Sequence, residues 1–243
     1  MIGAYVYGIV PARTPAPADL TGIDGRSCQV TGSCGAIAAI VSPTPAGRPL
    51  GTAGDLRTHA RVVEAAARSS AILPLQFGAV MADNDAVHAE LLEPYQEEFA
   101  DRLARLRECD QFTVKGRYEG DVALREVVAE EPDIRRLSER LRDRDEVASR
   151  GGNIQLGEMV ARALECKREA DAEVVAEALA EHAAAMAEHP SEAPDVAADM
   201  AFLVPRARQR GFEGAAEALA HQWQGRIRLR LVGPLPPYDF TQW

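Results

Sequence analysis

The chain has 243 residues, of which 47% are hydrophobic and 26% charged, and its 27 basic and 37 acidic side chains leave a formal net charge of −10. The length allows two domains of about 100 to 200 residues. The composition excludes a disordered or collagen-like chain, and the negative balance excludes a broad electrostatic grip on nucleic-acid phosphates. With only 5% aromatic residues and much alanine, burial should come from helices packed through small side chains, and helix should exceed strand.

No apolar run approaches the ~18 to 20 residues needed to span a bilayer, and no basic residue precedes Arg13, so neither a membrane span nor a secretion signal is expected. A cytoplasmic location follows as the expectation. Cys28, Cys34, Cys109 and Cys166 form no Cys-x-x-Cys pair and read as reduced, mostly buried thiols.

In chain order, residues 3–10 carry Tyr5, Tyr7 and Val10 in a β-rich run and read as a strand, followed by a Pro/Ala loop over 11–18. Cys28 to Thr31 and Ala36 to Val41 flank Gly32-Ser-Cys-Gly35 and predict a hairpin; that Gly-x-x-Gly lacks the spacing and Lys-Ser/Thr of a phosphate loop. Asp55 is the expected N-cap of a helix whose stripe is Val62, Val63, Ala66 and Ala67, ending at Ser69-Ser70. Ile72 to Val80 reads as a buried strand entering a turn. Asp83 or Asn84 should cap a second helix carrying Leu91, Tyr95, Phe99, Leu103 and Leu106, split at Pro94. This order suits a helix layer on an antiparallel sheet, and the first domain is placed at 1–108.

Residues 109–243 form the second expected domain. Phe112 to Tyr118 alternates as a strand, 121–149 are helical with a break at Pro132, and Gly151-Gly152 separates them from a long helix starting near Asn153. Its stripe runs Leu156, Val160, Ala163, Cys166, Ala170, Val174 and Ala178, and it should end by Pro190. Met200 to Val204 is a strand, Gly211 to Gln222 a helix, and Arg226-Ile-Arg-Leu-Arg-Leu231 a strand with one buried and one basic face. Strand, helix, strand, helix, strand is an incomplete ferredoxin-like plan. Ten acids between Glu165 and Asp199 face only Lys167 and Arg168, which reads as a solvated helix face or a docking surface for a basic partner. The arginine face should pair with that acidic helix or be solvated.

Little in the sequence carries chemistry. His59, His88, His182, His189 and His221 form no His-Glu-x-x-His, and no Gly-x-Ser-x-Gly, Gly-x-Gly-x-x-Gly or EF-hand loop is present. His182 and His189 could share a helical face, but no Cys or third His lies near them to complete a metal site. Glu97-Glu98 and Glu130-Glu131 reflect the abundance of acids. No catalytic residue, metal or organic cofactor is therefore expected.

Two segments are unlike scaffold. In Leu73-Pro-Leu-Gln-Phe-Gly-Ala-Val80 a proline interrupts an apolar run, with Phe77 behind it, and Gly78 lets the chain turn close to a neighbouring backbone. In the tail, Gly233-Pro-Leu-Pro-Pro-Tyr-Asp-Phe240, Pro234, Pro236 and Pro237 fix an extended path, and Leu235, Tyr238 and Phe240 offer apolar anchors. The tail either packs on its own core or presents a surface to a partner. Leu73, Pro74, Phe77, Gly78, Gly233, Pro234, Pro236, Pro237, Tyr238 and Phe240 are the candidate interaction residues.

Tyr5-Val-Tyr-Gly-Ile-Val10, Leu73-Pro-Leu-Gln-Phe-Gly78, Ala201-Phe-Leu-Val204 and Gly233-Pro-Leu-Pro-Pro-Tyr-Asp-Phe240, in this order along nearly the whole chain, together resemble the gas vesicle protein GvpF/GvpL family. The resemblance implies an α+β fold of two domains. These are an N-terminal domain related to the ferredoxin fold and a C-terminal ferredoxin-like domain with extra helices and an extended tail. It also implies a non-enzymatic accessory or minor structural protein for building gas vesicles, the gas-filled buoyancy organelles of some prokaryotes, in contact with the small hydrophobic shell protein and other accessory proteins. A small-ligand regulatory module on a ferredoxin-like sheet is the alternative.

Overall fold

Strand β1, Ile2–Pro11, is buried along almost its whole length. Such burial on both faces requires the unbroken apolar and aromatic run that the sequence supplies. The computed structural model describes residues 2–15, 20–45, 49–142, 146–191 and 193–241, with backbone alone for 146–149; part of the expected 11–18 loop lies outside the described residues. Helix covers 49% and strand 28%. The chain divides into two compact units, Met1–Gln111 with Gly233–Trp243, and Phe112–Val232. The tail, assigned from sequence to the second domain, thus belongs with the first unit, where Pro236, Pro237 and Phe240 are buried.

In the first unit β1 pairs antiparallel with β3 (Ile37–Pro45), which pairs with β2 (Gln29–Cys34) across the expected hairpin. The β1–β3 register slips by one residue at Tyr7, a bulge between Val6 and Gly8. On the other side of β1 lie two short strands, β4 (Leu73–Pro74) and β5 (Val80–Met81), giving the order β2-β3-β1-β4 with β5 also on β1. The single strand expected over 72–80 is therefore two pairs of residues, because Pro74 cannot continue a ladder and the chain turns between them. Helix α1, Ala53–Ser69, starts earlier than expected. Its N-cap is Thr52, whose hydroxyl accepts from the Asp55 N–H while the Asp55 carboxylate accepts from the Thr52 N–H, so Asp55 closes a capping box rather than forming the cap. Val62, Val63 and Ala66 of α1 pack on Tyr5, Tyr7, Val10 and Ile40. Asp83 caps α2, Asn84–Ala86, which continues as a π-helical stretch over Val87–Leu92; Pro94 then separates α3, Gln96–Leu106.

The second unit has β6 (Cys109–Tyr118), α4 (Val122–Glu130), α5 (Pro132–Arg142), α6 (Glu146–Ala180), β7 (Ala185–Glu188), β8 (Val196–Pro205), α7 (Gln209–Gln222) and β9 (Ile227–Leu235). The strand order is β7-β8-β6-β9. With β7 included, the ferredoxin-like plan of strand, helix, two strands, helix, strand is complete. Two expectations fail here. Gly151-Gly152 does not interrupt α6: a Cβ on Gly152 would stand 2.5 Å from Leu141 Cδ2 of α5, so glycine there permits close helix packing that outweighs its cost of about 1 kcal/mol. The helix ends at Ala180, ahead of Pro190 as expected, but so far ahead that His182 and His189, read as able to share a helical face, lie beyond it on no common helix. The core joins Phe112, Val114, Phe202 and Val204 of the sheet to Val175, Leu179, Phe212, Ala216 and Leu219 of the helices. Phe212 lies 5.4 and 5.3 Å, centroid to centroid, from Phe112 and Phe202, within the range of favourable aromatic pairs. Of the cysteines only Cys28 is buried, and Cys166 is exposed, because the α6 stripe faces the core at Val175 and Leu179 rather than at Cys166. No described helix is long and apolar enough to cross a membrane.

Candidate functional site

The two segments singled out by sequence meet in the first unit. Leu73 and Pro74 pair with Ile9 and Gly8 of β1 and are buried at the sheet edge, and the chain then loops outward through Leu75, Gln76 and Phe77. A cavity of about 770 Å3 is lined by this loop, by Leu56, His59 and Ala60 of α1, by Phe99 and Arg102 of α3, and by Tyr238 and Thr241 of the tail. Its walls are mainly apolar, and Leu56 and Tyr238 keep 49% and 38% of their surface exposed.

The floor is a buried neutral network. The hydroxyl of Tyr5 accepts from the Gly78 N–H at 3.1 Å and lies 2.9 Å from His59 Nδ1. Burial depresses the imidazole below its usual value, against an opposing hydrogen bond with the Leu75 backbone. His59 is thus a neutral ring, held between Tyr5 and Leu75, with Phe77 edge-on at 5.7 Å. Beside it the Tyr7 hydroxyl, pushed up to about 12 by burial, accepts from the Ile23 N–H at 2.8 Å and bonds Ser42 Oγ at 2.9 Å. Gly22 admits that hydroxyl, since a Cβ there would stand 2.3 Å from it. Gly78 has φ of +97° and open space around its missing Cβ. The left-handed backbone, not the close approach expected from sequence, is what requires glycine.

The tail is clamped over the cavity's edge. The Asp239 N–H donates to Gln111 Oε1 at 3.0 Å while Gln111 Nε2 donates to the Asp239 carboxylate, and Arg102 Nη1 donates to the Thr241 carbonyl at 2.7 Å. Pro236, Pro237 and Phe240 are buried beneath it. Of the ten candidate residues, Leu73, Pro74, Phe77 and Tyr238 line the cavity, Gly78 supports its floor, and Pro236, Pro237 and Phe240 anchor the tail. Gly233 and Pro234, exposed at the end of β9, take no part. Sequence reasoning missed His59, Arg102 and Gln111. His59 was within reach, since it lies three and four residues before Val62 and Val63 on the buried stripe of α1.

Among the described residues the cavity wall holds no carboxylate or thiol, and the imidazole of His59 is committed to internal hydrogen bonds. Among the described residues no group of three His, Cys, Asp or Glu could hold a metal. The arrangement can bind an apolar group, and it places no acid, base or nucleophile against one.

Comparison with known proteins bears on the family and the fold. The family model described as gas vesicle synthesis protein GvpL/GvpF matches residues 3–242. Gas vesicle protein F of Streptomyces sp. (strain CB03234) is 34% identical over 248 residues, covering 99% of this chain and 100% of that one. Gas vesicle protein F of Nostoc sp. (strain PCC 7120 / SAG 25.82 / UTEX 2576) is 24% identical, with 99% and 98% covered. The crystal structure of GvpF from Anabaena sp. PCC7120 has a TM-score of 0.89 at 23% identity, covering 100% of this chain and 99% of that one. The GvpF structure from Microcystis aeruginosa gives 0.83 at 21%, with both chains fully covered. At these identities the structural likeness bears on the fold.

Proposed function

The chain belongs to the gas vesicle synthesis protein GvpL/GvpF family, and on that premise we propose that it is a non-enzymatic accessory or minor structural protein of gas vesicle assembly that holds the shell protein at the cavity of its first unit. One observation carries this reading: two segments distant in sequence, each chosen for apolar groups on a stiffened backbone, line one open apolar cavity. Exposed apolar surface of this kind marks interaction sites, and the clamped tail presents Tyr238 with little ordering entropy left to lose on binding. The lack of a catalytic group on the wall fits a binding role.

The test is the pair Leu56→Asp and Tyr238→Ala, which changes the exposed wall and leaves the core intact. Phe240 is unsuitable, because it is 3% exposed and its truncation would cost about 3–5 kcal/mol of fold stability. The double variant should melt nearly as the parent does, yet lose the shell protein on co-purification and fail to restore floating cells. Normal melting with normal shell-protein retention overturns the assignment.

The second reading, a small-ligand regulatory module, is favoured by the cavity volume of about 770 Å3, which falls within the ~300–1,000 Å3 range of small-molecule sites. Native mass spectrometry of the protein purified from its own cells separates the two: a stoichiometric bound metabolite supports the module, and bare protein supports assembly.

A further inference from the structure

Strand β9 ends the second sheet in the order β7-β8-β6-β9, and among the described residues no strand pairs its outer side. Natural sheets blunt such edges by making them short or by bulges and prolines, but β9 runs nine residues, with Pro234 only near its end. Its two faces differ. Ile227 and Leu229 point to the helix layer, since their side-chain carbons lie 3.3 and 3.2 Å from where a Cβ of Gly116 would stand on β6, between the core residues Val114 and Tyr118. A small groove of about 150 Å3 opens there, lined by Leu229, Leu231, Ala216 and Ala220 together with the exposed Glu213 and Glu217.

The opposite face carries a graded ladder of charge. Lys115 of β6 donates to Asp199 of β8 at 2.9 Å, and Arg117 of β6 pairs with Asp195 just before β8. Further out, Arg228 pairs with Glu119 at 3.1 Å and its side chain is 79% exposed, and for Arg230, also exposed, no ion pair is found among the described residues. Acidic, basic, basic is the column order from β8 to β6 to β9, and the next position outward calls for acids. A second copy of the chain does not supply them, because two β9 edges pairing antiparallel would bring four arginines onto one face.

We propose that the β9 edge is a docking site for an extended segment of a partner protein that adds to the sheet as a strand. Its acidic side chains alternate to lie over Arg228 and Arg230, and its intervening apolar side chains cover Leu229 and Leu231. Main-chain hydrogen bonds give such a complex its geometry and alternate side chains its selectivity. The site lies in the second unit and is independent of the cavity reading, so either can fail without the other.

The experiment is fluorescence anisotropy on the full chain at low salt with a labelled nine-residue peptide alternating glutamate and valine. Three comparisons accompany it: the lysine–valine counterpart, the glutamate–valine peptide N-methylated at alternate residues, and the R228E/R230E variant, whose substituted positions are exposed and whose melt should be unchanged. The glutamate peptide should bind the parent and weaken roughly tenfold on the variant, while the lysine peptide shows the reverse preference and N-methylation abolishes binding. Failure of the glutamate peptide to bind, equal binding to parent and variant, or equal binding after N-methylation overturns the proposal.

Discussion

Both units bury a network of polar side chains and, apart from the Asp55 carboxylate that closes the cap of α1 in the first, the two networks are built in opposite ways. In the first, Tyr5, Tyr7, Ser42 and His59 are neutral: burial raises the tyrosines, lowers the histidine, and so keeps each uncharged. In the second, Arg226 donates through Nε and Nη2 to Glu126 at 2.7 and 2.9 Å and through Nη1 and Nη2 to Asp171 at 2.9 and 2.8 Å. Its guanidinium lies over the rings of Tyr118 and Trp223, and Tyr118 also donates to Asp171. Hydrogen bonding to Arg226 holds the Glu126 carboxyl below its usual range, and Lys167, bridging Glu126 and Glu130, adds to this. A neutral network is cheap to desolvate and indifferent to salt, so it can sit under an open cavity. An ionic network holds only while every partner is present, since a buried charge left alone costs more than the pair contributed.

The largest expected contrast comes from Arg226→Ala, which strands Asp171, 7% exposed, beside Glu126. It should lower stability by about 3 kcal/mol, read by urea denaturation, with hydrogen exchange accelerating in α4 and α6 and not in α1. Tyr5→Phe removes one hydroxyl from the neutral network and leaves the Gly78 N–H and a His59 nitrogen short of a partner. A loss of about 1–2 kcal/mol is expected, confined to the first unit in the same measurement.

Acid should separate the units without mutation. His59 is depressed in the fold relative to its unfolded value of 6.5. Its contribution is therefore complete above about pH 6.5 and is lost as the pH falls from there through the lower folded value. Glu126 is likewise depressed, from 4.5, so the contribution it makes persists until the pH drops below that. Between pH 7.5 and 5, amide protection relative to the intrinsic exchange rate at each pH should fall in α1 and β1 while α4 holds, and His59→Gln should flatten the first response. If α4 loosened first, the assignment of neutral and ionic cores would be reversed. Salt has the smallest effect: 1 M NaCl should cost the second unit less than about 1 kcal/mol, because Arg226 and Glu126 are each about a quarter exposed, and should leave the first unit unmoved.

Much of this architecture was legible in local pattern. The apolar stripe of α1, the alternation of β6 and the break at Pro94 each follow from one chemical periodicity. What escaped depended on neighbours distant in sequence. Ala185–Glu188 is made of good helix formers and becomes β7 only because Leu203, Phe202, Ala201 and Met200 of β8 stand opposite. The acidic run of 165–199 read as a solvated face or a docking surface, yet Asp171 is nearly buried because Arg226 reaches it from the end of α7. At the candidate site the unusual residues, Pro74, Phe77 and Tyr238, were visible as oddities of composition. Arg102 and Gln111 looked like ordinary surface and matter only through backbone and carboxylate groups of the tail that come to them in three dimensions.

That tail has a consequence for how the molecule is made. Residues 236–240 are synthesised after residues 1–111 of the first unit, and after the whole of the second, which is threaded between them and Gln111. The first unit, although most of it is synthesised earliest, therefore lacks the residues that cover its edge until the second unit has been made. Until then the cavity wall is bare of Tyr238, and the oldest part of the chain stays open at one edge while the second unit is synthesised.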